Sequence, residues 1–345
     1  MKNATTNFGA SIVIAYLSQW IMPLFFVLAG ASAFFALRRR NAWQYTLNRT
    51  LRLLVPFIFG MLIIVVPQAY YEMAQDGNLS DTAFFAFYPQ YIVDLNIQYW
   101  FHLWFLLYLF GFSLVSIPLF IPFGKERKSL VARVGESIDS TIVWILGLVV
   151  VIALVDILVY PTSFWGQRES GGWNIISYIV FFIFGYVLFS NPKQIGGLIR
   201  LRWYFLGCGL IMLVSLFVVF VDPIADPGTH FGSMYYSLAH FLRAIHSCAW
   251  ILAFIGLASR HLNFSNKFLE YSSEAVLPFY ILHQTAIVSI GYYVVAWNIG
   301  VAAKYIVTAL TSLAAVMLVY EAAIGRFVPL RFLFGIAVPV KHKKV

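Results

Sequence analysis

Charge is scarce in this chain. Only 11% of its 345 residues are Asp, Glu, Lys or Arg, 61% are hydrophobic, and the mean hydropathy is +0.82. Soluble domains carry roughly a quarter charged residues, so water is excluded as the main solvent. Acid is scarcer than base, 14 residues against 23, which leaves a formal net charge of +9. Cysteine is almost absent: Cys208 and Cys248 both fall in apolar runs without metal-type or redox-type spacing, which argues against a disulfide framework. The opening MKNATTNFGA lacks a basic cluster ahead of its apolar run, so no cleavable signal peptide is expected there. There is no G-x-S-x-G elbow, P-loop, H-E-x-x-H or C-x-x-C, which excludes a soluble hydrolase or NTPase of those types and gives no reason to expect a metal.

Apolar length is what the chain has in abundance. Nine runs are long enough to cross a bilayer, near residues 11–36, 53–70, 101–123, 141–159, 173–190, 203–221, 234–258, 276–297 and 301–324. The first is long enough for its start to lie along the interface or outside the bilayer. No internal repeat or low-complexity linker divides the chain, so the expectation is one all-α polytopic bundle over residues 1–345.

The loops alternate in charge. Arg38, Arg39, Arg40, Arg49 and Arg52 separate the first two runs without an acid; Glu72, Asp76, Asp81 and Asp94 follow without a base. Then come Lys125, Arg127, Lys128 and Arg133; next Arg168 against Glu169; then Lys193, Arg200 and Arg202; then Asp222 and Asp226; the tail ends with Lys341, His342, Lys343 and Lys344. Cytoplasmic loops are the basic ones in membrane proteins, so this order predicts a cytoplasmic carboxyl terminus and, with nine spans, an amino terminus outside. It also makes the net positive charge a matter of topology rather than of nucleic-acid binding. An outside amino terminus with no span before it suggests a missing first helix.

Several polar residues stand out against this background. Arg38 to Arg40 are accounted for by topology. Arg49 and Arg52 are three residues apart, on one helix face, so their guanidinium groups can converge on a phosphorylated donor. His102 sits in YWFHLWFLLY at the outer end of the third run, among belt aromatics, and is either solvated or placed to meet a hydroxyl group. His240, Arg243 and His246 follow one another at steps of three in the seventh run. An arginine at that depth marks a functional site or pairs with an acid such as Asp156, and both readings stay open. His283 lies between Tyr280 and Gln284 in the eighth run, with Pro278 read as its helix opener, and Glu321 reads as a snorkelling or paired acid without catalytic role.

Five stretches stand out along nearly the whole chain: W-x-x-P-L-F-F-V-L-A-G (Trp20 to Gly30), R-x-x-R-L-x-x-P (Arg49 to Pro56), H-L-W-F-L (His102 to Leu106), G-G-W-x-x-x-x-Y with F-x-x-G-Y (Gly171 to Tyr186), and Y-I-L-H-Q (Tyr280 to Gln284). Together they resemble the integral-membrane acyltransferase family 3, which includes O-antigen and peptidoglycan O-acetylases and the succinyltransferase of periplasmic glucans. The resemblance implies a ten-helix bundle in the cell (bacterial inner) membrane that takes an acetyl or succinyl group from cytoplasmic acyl-CoA, its donor substrate, and delivers it to a carbohydrate hydroxyl outside. It implies donor binding by Arg49 and Arg52, and it places His102 and His283 at family motif positions. Arg243 is a candidate for stabilising the developing oxyanion.

The family's first helix carries an R-x10-H motif whose histidine is the expected base. No histidine precedes His102 here, so the expectation is a chain lacking that helix, through a late start in the gene model or a genuine shortening. Two alternatives to an acyltransferase follow: a transporter or flippase of a sugar or lipid, and an inactive remnant. The expected partners are acyl-CoA, a glycan acceptor and membrane lipid; oligomeric state is not legible.

Overall fold

The computed structural model describes residues 7–75, 83–93, 97–121, 129–168, 171–219 and 230–336, and among them it contains helices, turns and coil but no strand. Among the described residues, seven helices are long and apolar enough to cross a membrane: Phe8–Leu37, Ala42–Ile64, Thr141–Leu158, Pro192–Val214, Met234–His261, Lys267–Val294 and Val301–Ile324. Two shorter apolar helices, Trp100–Val115 and Ile175–Ser190, occupy the places of the third and fifth expected runs. The protein is a polytopic all-helical bundle.

Element boundaries differ from the hydropathy reading chiefly at four helices, one of them the sixth, which begins at Pro192 rather than near residue 203, so Lys193, Arg200 and Arg202 lie inside it and not in a loop. The first helix is broken: Phe8–Ser18 and Ile21–Leu37 meet at a turn through Gln19 and Trp20. The second begins at Ala42 rather than near residue 53, so Arg49 and Arg52 lie inside a helix and not in a loop. The eighth begins at Lys267, capped by the Asn266 side chain accepting from the Leu269 N–H at 2.8 Å, so Pro278 is internal to the helix and does not open it. Hydropathy detects only the length that apolar solvent requires, whereas polar segments such as KFLEYSSEA continue the helix beyond it. Asp76, Asp81, Asp94, Lys125, Arg127, Lys128, Glu169, Asp222, Asp226 and Lys341 to Lys344 lie outside the described residues.

The chain divides into two compact units, one of Phe8–Tyr45 with Phe112–Phe264, the other of Thr46–Gly111 with Ser265–Val345 and Met1–Asn7. In the first, Ile21–Leu37 packs directly on Ile175–Ser190. A Cβ on Gly30 would stand 1.9 Å from the Phe182 carbonyl oxygen, and one on Gly185 would stand 1.9 Å from that of Val27. Backbone therefore touches backbone, the close approach that small residues permit between helices in lipid. Phe26, Val27, Phe181 and Phe182 are fully buried around this crossing. Two of the motif stretches, the one ending in Gly30 and the F-x-x-G-Y containing Gly185, are thereby explained as helix packing.

In the second unit, prolines meet widened turns. Pro56 and Pro67 carry no N–H, so each withdraws a helical bond from the carbonyl four residues earlier. The Ala42–Ile64 helix responds with two five-residue π-turns, Thr50–Leu54 and Gly60–Ile64. Around the second, hydroxyl groups bond the backbone: Tyr91 donates to the Met61 carbonyl, Tyr88 to Leu62 and Thr285 to Ile64, each at 3.0 Å. A third π-turn, Tyr320–Ile324, precedes Pro329, and Arg331 donates to the Gly325 carbonyl at 3.2 Å. Backbone carbonyls around such turns are served by these donors where the bilayer core offers no water.

Candidate functional site

In the unit containing Thr46–Gly111 and Ser265–Val345, the Lys267–Val294 helix brings His283 against His102, with ring centroids 5.1 Å apart and planes at 81°. Two histidines 181 positions apart in sequence thus form one pair. His102 Nε2 lies 3.1 Å from the Ile281 carbonyl oxygen and His283 Nδ1 lies 2.6 Å from that of Tyr280. A carbonyl only accepts, so these nitrogens carry the hydrogens, leaving His102 Nδ1 and His283 Nε2 as the basic positions. His102 is buried and its Nδ1 has no hydrogen-bond partner, whereas His283 is half-buried. Tyr280 locks the pair by donating its hydroxyl to the His102 carbonyl.

The backbone just before His102 is strained. Phe101 has φ 42° and ψ −128°, the one positive-φ residue other than glycine among those described. Such a conformation costs on the order of 1–3 kcal/mol and persists where the surroundings impose it, commonly at functional sites. Here it turns the chain from the Ile97–Leu103 segment into the Trp104–Val115 helix and so sets the direction of the His102 ring.

Arg49 and Arg52 belong to the same unit. Arg49 ends an α-helical stretch and Arg52 sits in the Thr50–Leu54 π-turn, where its Nε donates to the Gly335 carbonyl at 3.3 Å. Gly335 has φ 70°, and a Cβ there would stand 2.7 Å from the Arg52 carbonyl oxygen. Further along that helix, a Cβ on Gly60 would stand 2.7 Å from Leu103 and 3.6 Å from Ile281, the neighbours of the histidine pair. Eight residues separate Arg52 from Gly60, about 12 Å along the axis at the rise of an α-helix. One helix therefore carries the arginines in its middle turns and, near its carboxyl end, abuts the neighbours of the histidine pair.

Arg243 lies in the other unit, at the centre of a buried polar cluster. Asp156 is fully buried; its carboxylate accepts from Arg168 Nη1 at 2.7 Å, His240 Nδ1 at 2.6 Å, Asn174 Nδ2 at 3.2 Å and Arg243 Nη1 at 3.3 Å. Arg243 also donates to Gln19 Oε1 at 2.7 Å and to the Gly172 carbonyl at 2.5 Å, and its guanidinium lies 3.9 Å from the centre of the Trp173 ring. Gly171 and Gly172, at φ 76° and 85°, shape the turn that presents this carbonyl and then Trp173. Of the two readings open for Arg243, pairing with Asp156 is the one observed.

Some contributors were not singled out by sequence reasoning. Gln19 and Asn174 look like isolated polar residues beside apolar runs, and only the fold shows that Gln19 bonds Arg243 and Asn174 bonds Asp156. Arg168 reads as a loop charge, yet its side chain is 10% exposed and bonded to Asp156. Glu321 accepts from the Tyr271 hydroxyl at 2.5 Å, in keeping with a paired acid. His246 is fully buried among Tyr16 and Trp250, and the Gly209 backbone comes near its ring without completing a hydrogen bond. Among the described residues, no group of three or more His, Cys, Asp or Glu is placed to hold a metal ion.

Comparison with known proteins covers nearly the full length. The glucans biosynthesis proteins C of Salmonella agona (strain SL483), Salmonella paratyphi A (strain ATCC 9150 / SARB42) and Salmonella heidelberg (strain SL476) are each 22% identical over 355 residues, spanning 99% of this chain and 88% of theirs. No solved structure gives a significant match. The acyltransferase domain model matches residues 2–321. With that match extending from the broken first helix to the last π-turn, this multi-pass membrane protein belongs to the acyltransferase 3 family.

Proposed function

We propose that this protein moves an acetyl or succinyl group from cytoplasmic acyl-CoA to a carbohydrate hydroxyl of a glucan or polysaccharide outside the membrane. The observation that carries this reading is the His102–His283 pair, which lies in the same unit as Arg49 and Arg52 beside the helix that bears them. The family match supplies acyl transfer, and the similarity to glucans biosynthesis protein C favours a glucan as acceptor. The alternation of basic and acidic loops supports a cytoplasmic position for Arg49 and Arg52.

In this reading the two guanidinium groups hold the anionic phosphates of the donor, where bidentate geometry favours arginine. The thioester end extends toward the histidine pair. His283 Nε2, the more accessible basic nitrogen, takes the proton of the acceptor hydroxyl as its oxygen attacks the thioester carbonyl carbon. The tetrahedral adduct then collapses, the carbon–sulfur bond breaks, and the proton passes from the imidazole to the departing thiolate. His102 orients its neighbour through the edge-on ring contact. We assign Arg243 to holding its own unit together, since Asp156, Gln19 and Gly172 already occupy its nitrogens.

Donor binding tests the assignment of the arginines. Replacing both Arg49 and Arg52 by Ala should weaken acyl-CoA binding by about 10-fold to more than 100-fold, the loss expected for charge-assisted hydrogen bonds. The folded fraction should not change. Isothermal titration with the purified variant reads this directly, and an affinity equal to wild type would remove the arginines from the donor site.

A further inference from the structure

The end of the Ile21–Leu37 helix holds a cavity that the acyl-transfer reading does not use. Its volume is about 550 Å³, and it is lined by Ser32, Phe35, Ala36, Arg38, Arg39 and Arg40. Ser32, Phe35, Ala36 and Arg39 are spaced as i, i+3, i+4 and i+7, one face of a helix. The helical geometry persists to the end of that stripe: Arg38 has φ −66° and ψ −22°, and the Arg39 N–H bonds the Ala36 carbonyl at 3.2 Å. The lining thus passes from small and apolar residues to guanidinium groups within two turns.

Charge and exposure both bear on the occupant. Arg38, Arg39 and Arg40 are exposed, and none is paired with an acid among the described residues. Phe35 is 52% exposed on the apolar part of the same face. Three full positive charges outweigh the fractional negative charge at the carboxyl end of the helix, so the cavity attracts anions. An anion that also covers Phe35 must carry an apolar chain. Setting topology would require the charges alone, not a cavity that continues onto an aromatic ring.

We propose that this cavity binds the phosphate of an anionic phospholipid, with Arg38, Arg39 and Arg40 around the headgroup and the acyl chain along Phe35 and Ala36. Basic pockets at the cytoplasmic ends of membrane helices recognise such headgroups. A free phosphate, such as that of a soluble nucleotide, shares the headgroup chemistry but has no chain to cover the apolar stripe. The site depends on neither Arg49, Arg52 nor the histidine pair, so it stands or falls separately from the acyl-transfer reading.

Native mass spectrometry of the purified full chain in a neutral detergent provides the test, with phosphatidylglycerol and phosphatidylcholine offered in equal amounts. Wild type should retain phosphatidylglycerol at least about tenfold over phosphatidylcholine, as expected for several arginines at an anionic surface. The R38Q/R39Q/R40Q variant should bring the two lipids to parity. Ser32→Trp, which fills the stripe without altering charge, should also remove the preference and keeps the test available if the triple variant does not fold. Wild-type parity would overturn the site. So would full preference in Ser32→Trp, because charge alone would then suffice. Displacement of phosphatidylglycerol by 3′,5′-ADP would overturn the lipid assignment in favour of a soluble phosphate.

Discussion

Asp156 faces more positive charge than it can neutralise. Two guanidinium groups and an imidazole converge on one carboxylate inside a span, and Asn174 adds a neutral donor. Removing one member of a buried ionic group leaves the others desolvated and unpaired, which costs about 3–5 kcal/mol. Asp156→Ala should therefore lower stability by that amount in a denaturant titration of the solubilised protein. Asp156→Asn should recover little, because the amide keeps the shape without the charge. A loss below about 0.5 kcal/mol, the range of ordinary surface changes, would contradict the central place of the carboxylate. At this scale the sequence was only partly legible. Arg243 and Asp156 could be suspected as partners because each is expensive in lipid. Gln19, Arg168 and Asn174 could not, since nothing in their spacing points to Arg243 as the partner of the first or to Asp156 as the partner of the other two. The histidine pair was likewise legible as two separate motifs and not as a contact.

Helices in this protein are shaped by residues that a hydropathy profile does not register. Each of the nine apolar runs coincides with an apolar helix among the described residues, because burying backbone polar groups in lipid leaves few alternatives to a helix. Their ends were misplaced where polar residues prolong a helix, as at Lys267–Ala275, or where a turn interrupts one, as at Gln19 and Trp20. The π-turns leave no trace in hydropathy, although their cause, a proline shortly downstream, is visible in the sequence. Gly30 and Gly185 stand in motif stretches of the sequence, and only the fold shows that they let two helices touch. Gly185→Leu would drive a side chain into the Val27 backbone, where the Cβ alone meets carbonyl oxygen at 1.9 Å. Overpacking of this kind costs about 1–3 kcal/mol, and the lower bound applies only if the two helices can separate. The expected result is a lower thermal midpoint with helical content retained by circular dichroism. An unchanged midpoint would mean that the crossing is looser than described.

For the whole molecule, orientation ties the polar sites to the two sides of the membrane. The positive-inside reading puts Arg38 to Arg40 and the Arg49–Arg52 pair at the cytoplasmic face and the Phe164–Trp165 loop outside. Single cysteines at Gln44 and at Ser163, in a background with Cys208 and Cys248 replaced by Ala, should label in opposite patterns in intact cells. A membrane-impermeant maleimide should reach position 163 and not position 44. Labelling at both positions, or at position 44 alone, would reverse the proposed direction of transfer. That direction distinguishes an enzyme joining a charged cytoplasmic donor to an outside acceptor from one working on a single side.

Acyl transfer itself is the central claim. The most direct measurement follows radiolabel from acetyl-CoA or succinyl-CoA into a glucan, using purified protein in liposomes, wild type beside His283→Ala. The account predicts label in the glucan with wild type and a fall in turnover of about 10²–10⁴-fold in the variant, the usual worth of a positioned general base, while acyl-CoA affinity is unchanged. Equal turnover in the two proteins, or donor binding with no label transferred by wild type, would contradict it.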